Sequence, residues 1–122
     1  MARLRITRPT LLVDENKVRR NIARMAQKAR DAQVQLRPHF KTHQCATIGD
    51  WCRDAGVRHI TVSSLEMATY FADHGWRDIT VAFPCNVAQL DLLQELATRP
   101  EAGGDEMHIE VSESHRQNLS ES

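Results

Sequence analysis

Short β-branched runs alternate with segments of helical period along most of this chain, and that alternation narrows its fold more than any other feature. "HITVSS" (59–64) and "DITVAF" (78–83) are nearly continuous apolar runs, the form strands take when both faces of their sheet are covered. Between them Leu65, Ala68, Phe71 and Ala72 recur at helical spacing and stop at Gly75, with Ser63 and Glu66 placed as a capping box. Earlier, Cys45, Ile48, Cys52 and Ala55 make a stripe closed by Gly56; later, Val87, Leu90, Leu93 and Leu96–Ala97 make one that must end near Thr98, ahead of Pro100. "TLLVD" (10–14) reads as a strand before a helix from about Glu15 to Ala32, with Val18, Ile22, Met25, Ala26 and Ala29 on one face. "MHIEVS" (107–112) is a further strand candidate, "RPEAGGDE" (99–106) a loop and "ESHRQNLSES" a polar tail. Strands alternating with helices of this kind predict an α/β fold of parallel βα units.

Size limits how much of such a fold is present. A (β/α)8 barrel takes about 250 residues, and this chain has 122. The expectation is a single domain over 1–122, the front part of something larger, because the last strand candidate is followed by too little apolar sequence to cover it. Sixteen basic side chains balance sixteen acidic ones, so no global field favours nucleic acid or an anionic membrane. The apolar runs are too short to span a bilayer, and "MARLRITRPT" lacks the apolar stretch of a secretory signal. Cys45, Cys52 and Cys85 form no CxxC and cannot all pair, which predicts a reduced, cytoplasmic protein. Cys45 and Cys52 read as core packing; two helical turns, about 10 Å, forbid a disulfide between them.

One stretch departs from the apolar pattern. "RPHFKTH" (37–43) begins extended, since a residue before proline is pushed out of the helical region. In a strand, Arg37, His39 and Lys41 then share one face, and Leu36, Pro38 and Phe40 the other. A barrel interior carrying arginine, histidine and lysine is costly unless a ligand or partner charges satisfy it, and Lys41 falls at the C-terminal strand end where barrel active sites lie. Partial burial and the positive charge of Arg37 would lower the pKa of the Lys41 amine and free it to attack an aldehyde, with His39 and His43 able to move protons.

The same stretch resembles the RPHxKTH signature of the D-threonine aldolase and D-serine dehydratase group of fold-type III (alanine racemase-like) pyridoxal-phosphate enzymes. "TRPTLLVDENKVRRNIARMAQKA" is similar to that family's opening TPxLLVDxxxLxxNIxxMA, and "ITVSSLEMATYFADHGWRDITVAFP" to its next two βα units, so the resemblance runs to about Leu96. It implies that Lys41 carries pyridoxal 5'-phosphate as a Schiff base, with Arg37, His39 and His43 as supporting cofactor-site residues. It further implies about half of a (β/α)8 barrel built from "LRPHFK", "HITVS", "ITVAF" and "HIEVS", with 10–14 joining a C-terminal β-domain. The phosphate-binding loops and the site for a divalent metal (zinc or manganese) lie downstream in relatives.

The function expected is a lyase of D-amino acid metabolism, an aldolase or dehydratase, with racemase as a further branch. Its partners would be a small D-amino acid and, at full length, a second copy in a homodimer; the 122-residue chain alone is expected to be inactive. Two other readings stand beside it: a metal-dependent barrel hydrolase using His39 and His43, and a truncated, non-catalytic fragment.

Overall fold

Helix α1 (Glu15–Asp31) starts where Asp14 accepts the Lys17 amide on its side chain, the satisfaction of orphan N–H groups that an N-cap provides. The computed structural model describes residues 3–84, 87–100 and 106–111. After α1 come a 3₁₀ turn (Phe40–Thr42), α2 (Ala46–Asp54), β1 (His59–Val62), α3 (Leu65–Asp73), β2 (Asp78–Val81), a second 3₁₀ turn (Val87–Gln89), α4 (Leu90–Ala97) and β3 (His108–Val111).

The three strands form one parallel sheet in the order β1-β2-β3. Its register is regular: His59 pairs with Asp78 and Asp78 with His108, while Val62 pairs with Val81 and Val81 with Val111. The motif segment joins on the other side of β1 through one parallel bridge, His39 to Thr61, with the Thr61 amide donating to the Pro38 carbonyl at 2.9 Å.

Strand alternation decides where the core sits. Ile60, Val62, Ile79 and Val81 are buried with Leu65, Ala68, Phe71 and Ala72 of α3, Trp76 and Leu96 of α4, and Ile109 and Val111 pack against them. Phe40, Phe71, Ile60, Ile79, Leu96 and Val62 are fully enclosed, each worth about 2 kcal/mol of apolar burial. Thr61, Thr80, His108 and Glu110 occupy the opposite face and are half-buried or exposed. Contrary to the expectation of strands covered on both faces, only one face is covered among the described residues. Polar side chains at alternate positions are the reason.

Other local expectations need correction. Residues 10–14 form no strand: Leu11 is 82% exposed and no partner strand lies beside the segment among the described residues. Extended residues become a strand only when their backbone groups are paired. The cap of α3 is Ser64, not Ser63, and its hydroxyl accepts from Met67 N. Glu66 instead accepts from the Gln89 side chain. Cys45 caps α2 rather than lying within it, whereas Cys52 is buried, and burial pushes its thiol up to about 11. Leu92, Leu93 and Leu96 of α4 face inward, while Leu90 at its start and Val87 in the preceding 3₁₀ turn are exposed. Cys85, the centre of the 99–106 loop and the polar tail lie outside the described residues.

Candidate active site around Lys41

The motif segment stays extended only as far as His39, whose φ of −89° and ψ of 113° are those of a strand residue; Phe40 then starts the 3₁₀ turn. The expected strand "LRPHFK" is therefore shorter, and Lys41 sits in the turn just past its end. Phe40 explains the turn. Its ring is 1% exposed and lies edge-on to Phe71 at 4.8 Å and to Trp76 at 5.2 Å. Gly49 of α2 makes room: a Cβ there would meet Phe40 at 3.3 Å and Trp76 at 3.4 Å.

With Phe40 anchored in the core, Lys41 is exposed. The predicted separation of Phe40 from Lys41 is thus present. Among the described residues the Lys41 ammonium has no hydrogen-bond or ion-pair partner; only its backbone is engaged, the amide donating to His39 Nδ1 at 3.2 Å and the carbonyl accepting from Gln44.

Arg37 goes elsewhere. Its guanidinium donates to Asp78 Oδ1 at 2.6 Å and to the Ile60 carbonyl at 3.3 Å, while Asp78 Oδ2 lies 2.6 Å from His59 Nδ1. A carboxylate only accepts, so His59 carries its hydrogen on Nδ1. Burial opposes ionisation of Asp78, yet the bonds from Arg37 and His59 outweigh it and hold its carboxyl below the usual carboxylate value. His59 and Asp78 are the first residues of β1 and β2, whereas Lys41 follows the end of its strand. The expected tuning of Lys41 by Arg37 and by partial burial is therefore not what the geometry provides: Arg37 neutralises Asp78, and Lys41 is exposed. Asp78 and His59 escaped the sequence reading, although their matching places in "HITV" and "DITV" marked them as neighbours.

The two motif histidines lie on either side of Lys41. His39 is held below the ordinary imidazole value by burial and then by the Lys41 charge. His43 is half-buried against Phe40, with ring centroids 4.6 Å apart, and burial lowers it too. Its Nδ1 accepts from Cys45 N at 3.0 Å, and its Nε2 is buried without a partner among the described residues.

At the C-terminal strand ends, Ser63, Ser64, Glu66, Phe83, Pro84 and Val111 line a cleft of about 200 Å³, the side on which parallel α/β sheets bind ligands. Short polar residues directly after "HITV" were its signal. No three His, Cys, Asp or Glu side chains gather as a metal site among the described residues, and no helix there is long and apolar enough to cross a membrane.

No family model matches the chain. It is 39% identical over 79 residues to D-threo-3-hydroxyaspartate dehydratase of Delftia sp. (strain HT23), a match covering 65% of this chain and 21% of that enzyme. A solved structure of that dehydratase superposes with a TM-score of 0.65 at 36% identity, over 68% of this chain and 22% of the other. D-threonine aldolase from Filomicrobium marinum superposes with a TM-score of 0.74 at 26% identity, over 84% of this chain and 26% of that one. The chain thus spans about a fifth to a quarter of the length of the proteins it matches. The homologues of this chain are D-threo-3-hydroxyaspartate dehydratase and D-threonine aldolase, fold-type III pyridoxal-phosphate enzymes, matched over its N-terminal region.

Proposed function

We propose that this chain supplies the cofactor-attachment segment and first βα units of a pyridoxal-phosphate-dependent lyase acting on small D-hydroxy amino acids, with Lys41 as the attachment residue. The observation that carries the reading is the placement of Lys41: an exposed, unpartnered amine at the end of a strand, on a turn anchored by buried Phe40. A free primary amine is the group an aldehyde cofactor requires, so the residues present fit it. When bound, the cofactor's pyridine ring takes up the electron pair left as a bond to the substrate's Cα breaks.

The chain's own residues contribute position. Phe40 fixes the turn in the core, and His39 holds the Lys41 amide. Arg37, Asp78 and His59 tie the motif segment to β1 and β2 at the far end of the strands, leaving the Lys41 end free for the reactants. On this reading the polar face of Thr61, Thr80, His108 and Glu110 is the inner wall of a barrel of which the chain forms about half. The segment 10–14, with Leu11, Leu12 and Val13 exposed, is on this reading the strand that joins a separate β-domain. With β3 at the edge of the sheet, the isolated chain is expected to self-associate through that edge and to turn over no D-threonine. A metal-hydrolase reading loses support because the Nδ1 atoms of His39 and His43 are both occupied by backbone amides.

Titration with pyridoxal phosphate tests the attachment. The wild-type chain is expected to develop the visible absorbance of a lysine-bound cofactor, and Lys41→Ala to lose it. An equal band in both proteins would overturn the assignment.

A further inference from the structure

The motif places a histidine two residues before Lys41 and another two residues after it, and the two side chains do the same thing. His39 Nδ1 accepts the amide of residue 41 at 3.2 Å, and His43 Nδ1 accepts the amide of residue 45 at 3.0 Å. In both, a side-chain acceptor takes the N–H two residues on, the pattern by which asparagine and aspartate close turns. The first opens the 3₁₀ turn that holds Lys41; the second fixes the entry to α2.

What lies between them needs holding. Gln44 has a φ of 49°, in the left-handed region, which costs a side-chain-bearing residue roughly 1 kcal/mol or more. Its amide donates to the Phe40 carbonyl at 2.9 Å, so the strained residue closes the turn around Lys41. His43 is its immediate neighbour and ties the next amide down.

An imidazole nitrogen that accepts an N–H carries no hydrogen itself, so a neutral ring of this kind has its proton on Nε2. For His43 that N–H is buried among the rings of Phe40 and Phe71, at centroid distances of 4.6 and 6.2 Å, without a conventional partner among the described residues. A charged ring would be a donor at both nitrogens and would lose its hold on Cys45 N.

We propose that His39 and His43 are paired positioning residues for Lys41, each in the Nε2–H tautomer with Nδ1 closing a backbone turn, and that they act as clamps and not as proton carriers. The role in catalysis rests on Lys41 being the attachment residue; the clamp itself does not.

Two replacements separate a clamp from a space-filling ring. Asparagine places its oxygen where Nδ1 lies, whereas glutamine places its polar atoms further out, near Nε2. Amide exchange at Lys41 and Cys45 is expected to stay within about twofold of wild type in His39→Asn and His43→Asn respectively, and to quicken about tenfold or more in the glutamine variants. Trapping of pyridoxal phosphate on Lys41 by borohydride, relative to Lys17, should follow the same order. Equal behaviour of asparagine and glutamine variants would overturn the clamp. Imidazole ¹⁵N shifts of the wild-type chain give the same answer without substitution: Nδ1–H on either ring contradicts it. If exchange follows the predicted order while wild type traps no cofactor on Lys41, the clamp stands and the attachment reading falls.

Discussion

Arg37 and Asp78 meet at 2.6 Å, with side chains about a quarter exposed, and their pairing ties the motif segment to β2 across β1. Because Asp78 also holds His59, removing the carboxylate leaves two donors short of a partner. Asp78→Ala is expected to cost about 2 kcal/mol, above the range of open surface pairs and below that of fully buried ones. The shift of the urea midpoint measures it; a loss below about 0.5 kcal/mol, the usual range of surface substitutions, would show that the cluster does not hold the strands together.

Acid should destabilise the chain in two steps. Burial depresses His43, so the unfolded state takes up that proton first; stability is complete above about pH 6.5, the ordinary imidazole value, and falls below it. Asp78 is also depressed, with the Arg37 and His59 bonds outweighing its burial. Its contribution is present above the ordinary carboxylate range and is lost as pH falls through its lower folded value. Urea midpoints between neutral pH and about pH 2 should decline in two steps, and His43→Asn should reduce the upper one, to which the depressed His39 also contributes. An unchanged profile in that variant would contradict the assignment.

Gly49 is a test of the ring cluster under Lys41. Alanine in a helix gains about 1 kcal/mol over glycine, but here the new methyl lies 3.3 Å from Phe40 and 3.4 Å from Trp76. Both rings are almost fully buried, so neither moves alone, and overpacking of this kind costs about 1–3 kcal/mol. Gly49→Ala is expected to lose about 1 kcal/mol net in thermal or urea unfolding. A stabilised variant would mean that the rings yield freely.

The strand–helix alternation was legible because each element carries its own period: "HITV", "DITV" and "HIEV" all appear as strands within two residues of the places read from sequence. The failures share a cause, which is that pairing is not a local property. Residues 10–14 have a strand's composition but no neighbour to bond with among the described residues, and the motif strand stops at His39 because Phe40 is drawn into the core. Phe40 is buried and Lys41 exposed, as expected, although both lie in a 3₁₀ turn and not in the strand whose alternation led to that expectation. That Arg37 serves Asp78 was not legible, because strand period tells which face a side chain takes and says nothing of its partner on another strand.

The exposed apolar residues of the 10–14 segment follow from the same reasoning. Leu11 and Leu12 are 82% and 59% exposed, so Leu11→Ser with Leu12→Ser should change the unfolding free energy of this chain by no more than about 0.5 kcal/mol. A loss well above that would mean the segment already packs against this domain, contrary to its assignment to a separate one.

On the proposed reading Lys41, alone among the three lysines of the chain, holds the aldehyde cofactor. Lys17 and Lys28 lie on the exposed side of α1. Incubation with pyridoxal phosphate, reduction by borohydride and peptide mapping decide the matter. The reduced cofactor is expected on the peptide containing Lys41, in excess over both other lysines. Label distributed evenly, or concentrated on Lys17 or Lys28, would contradict it.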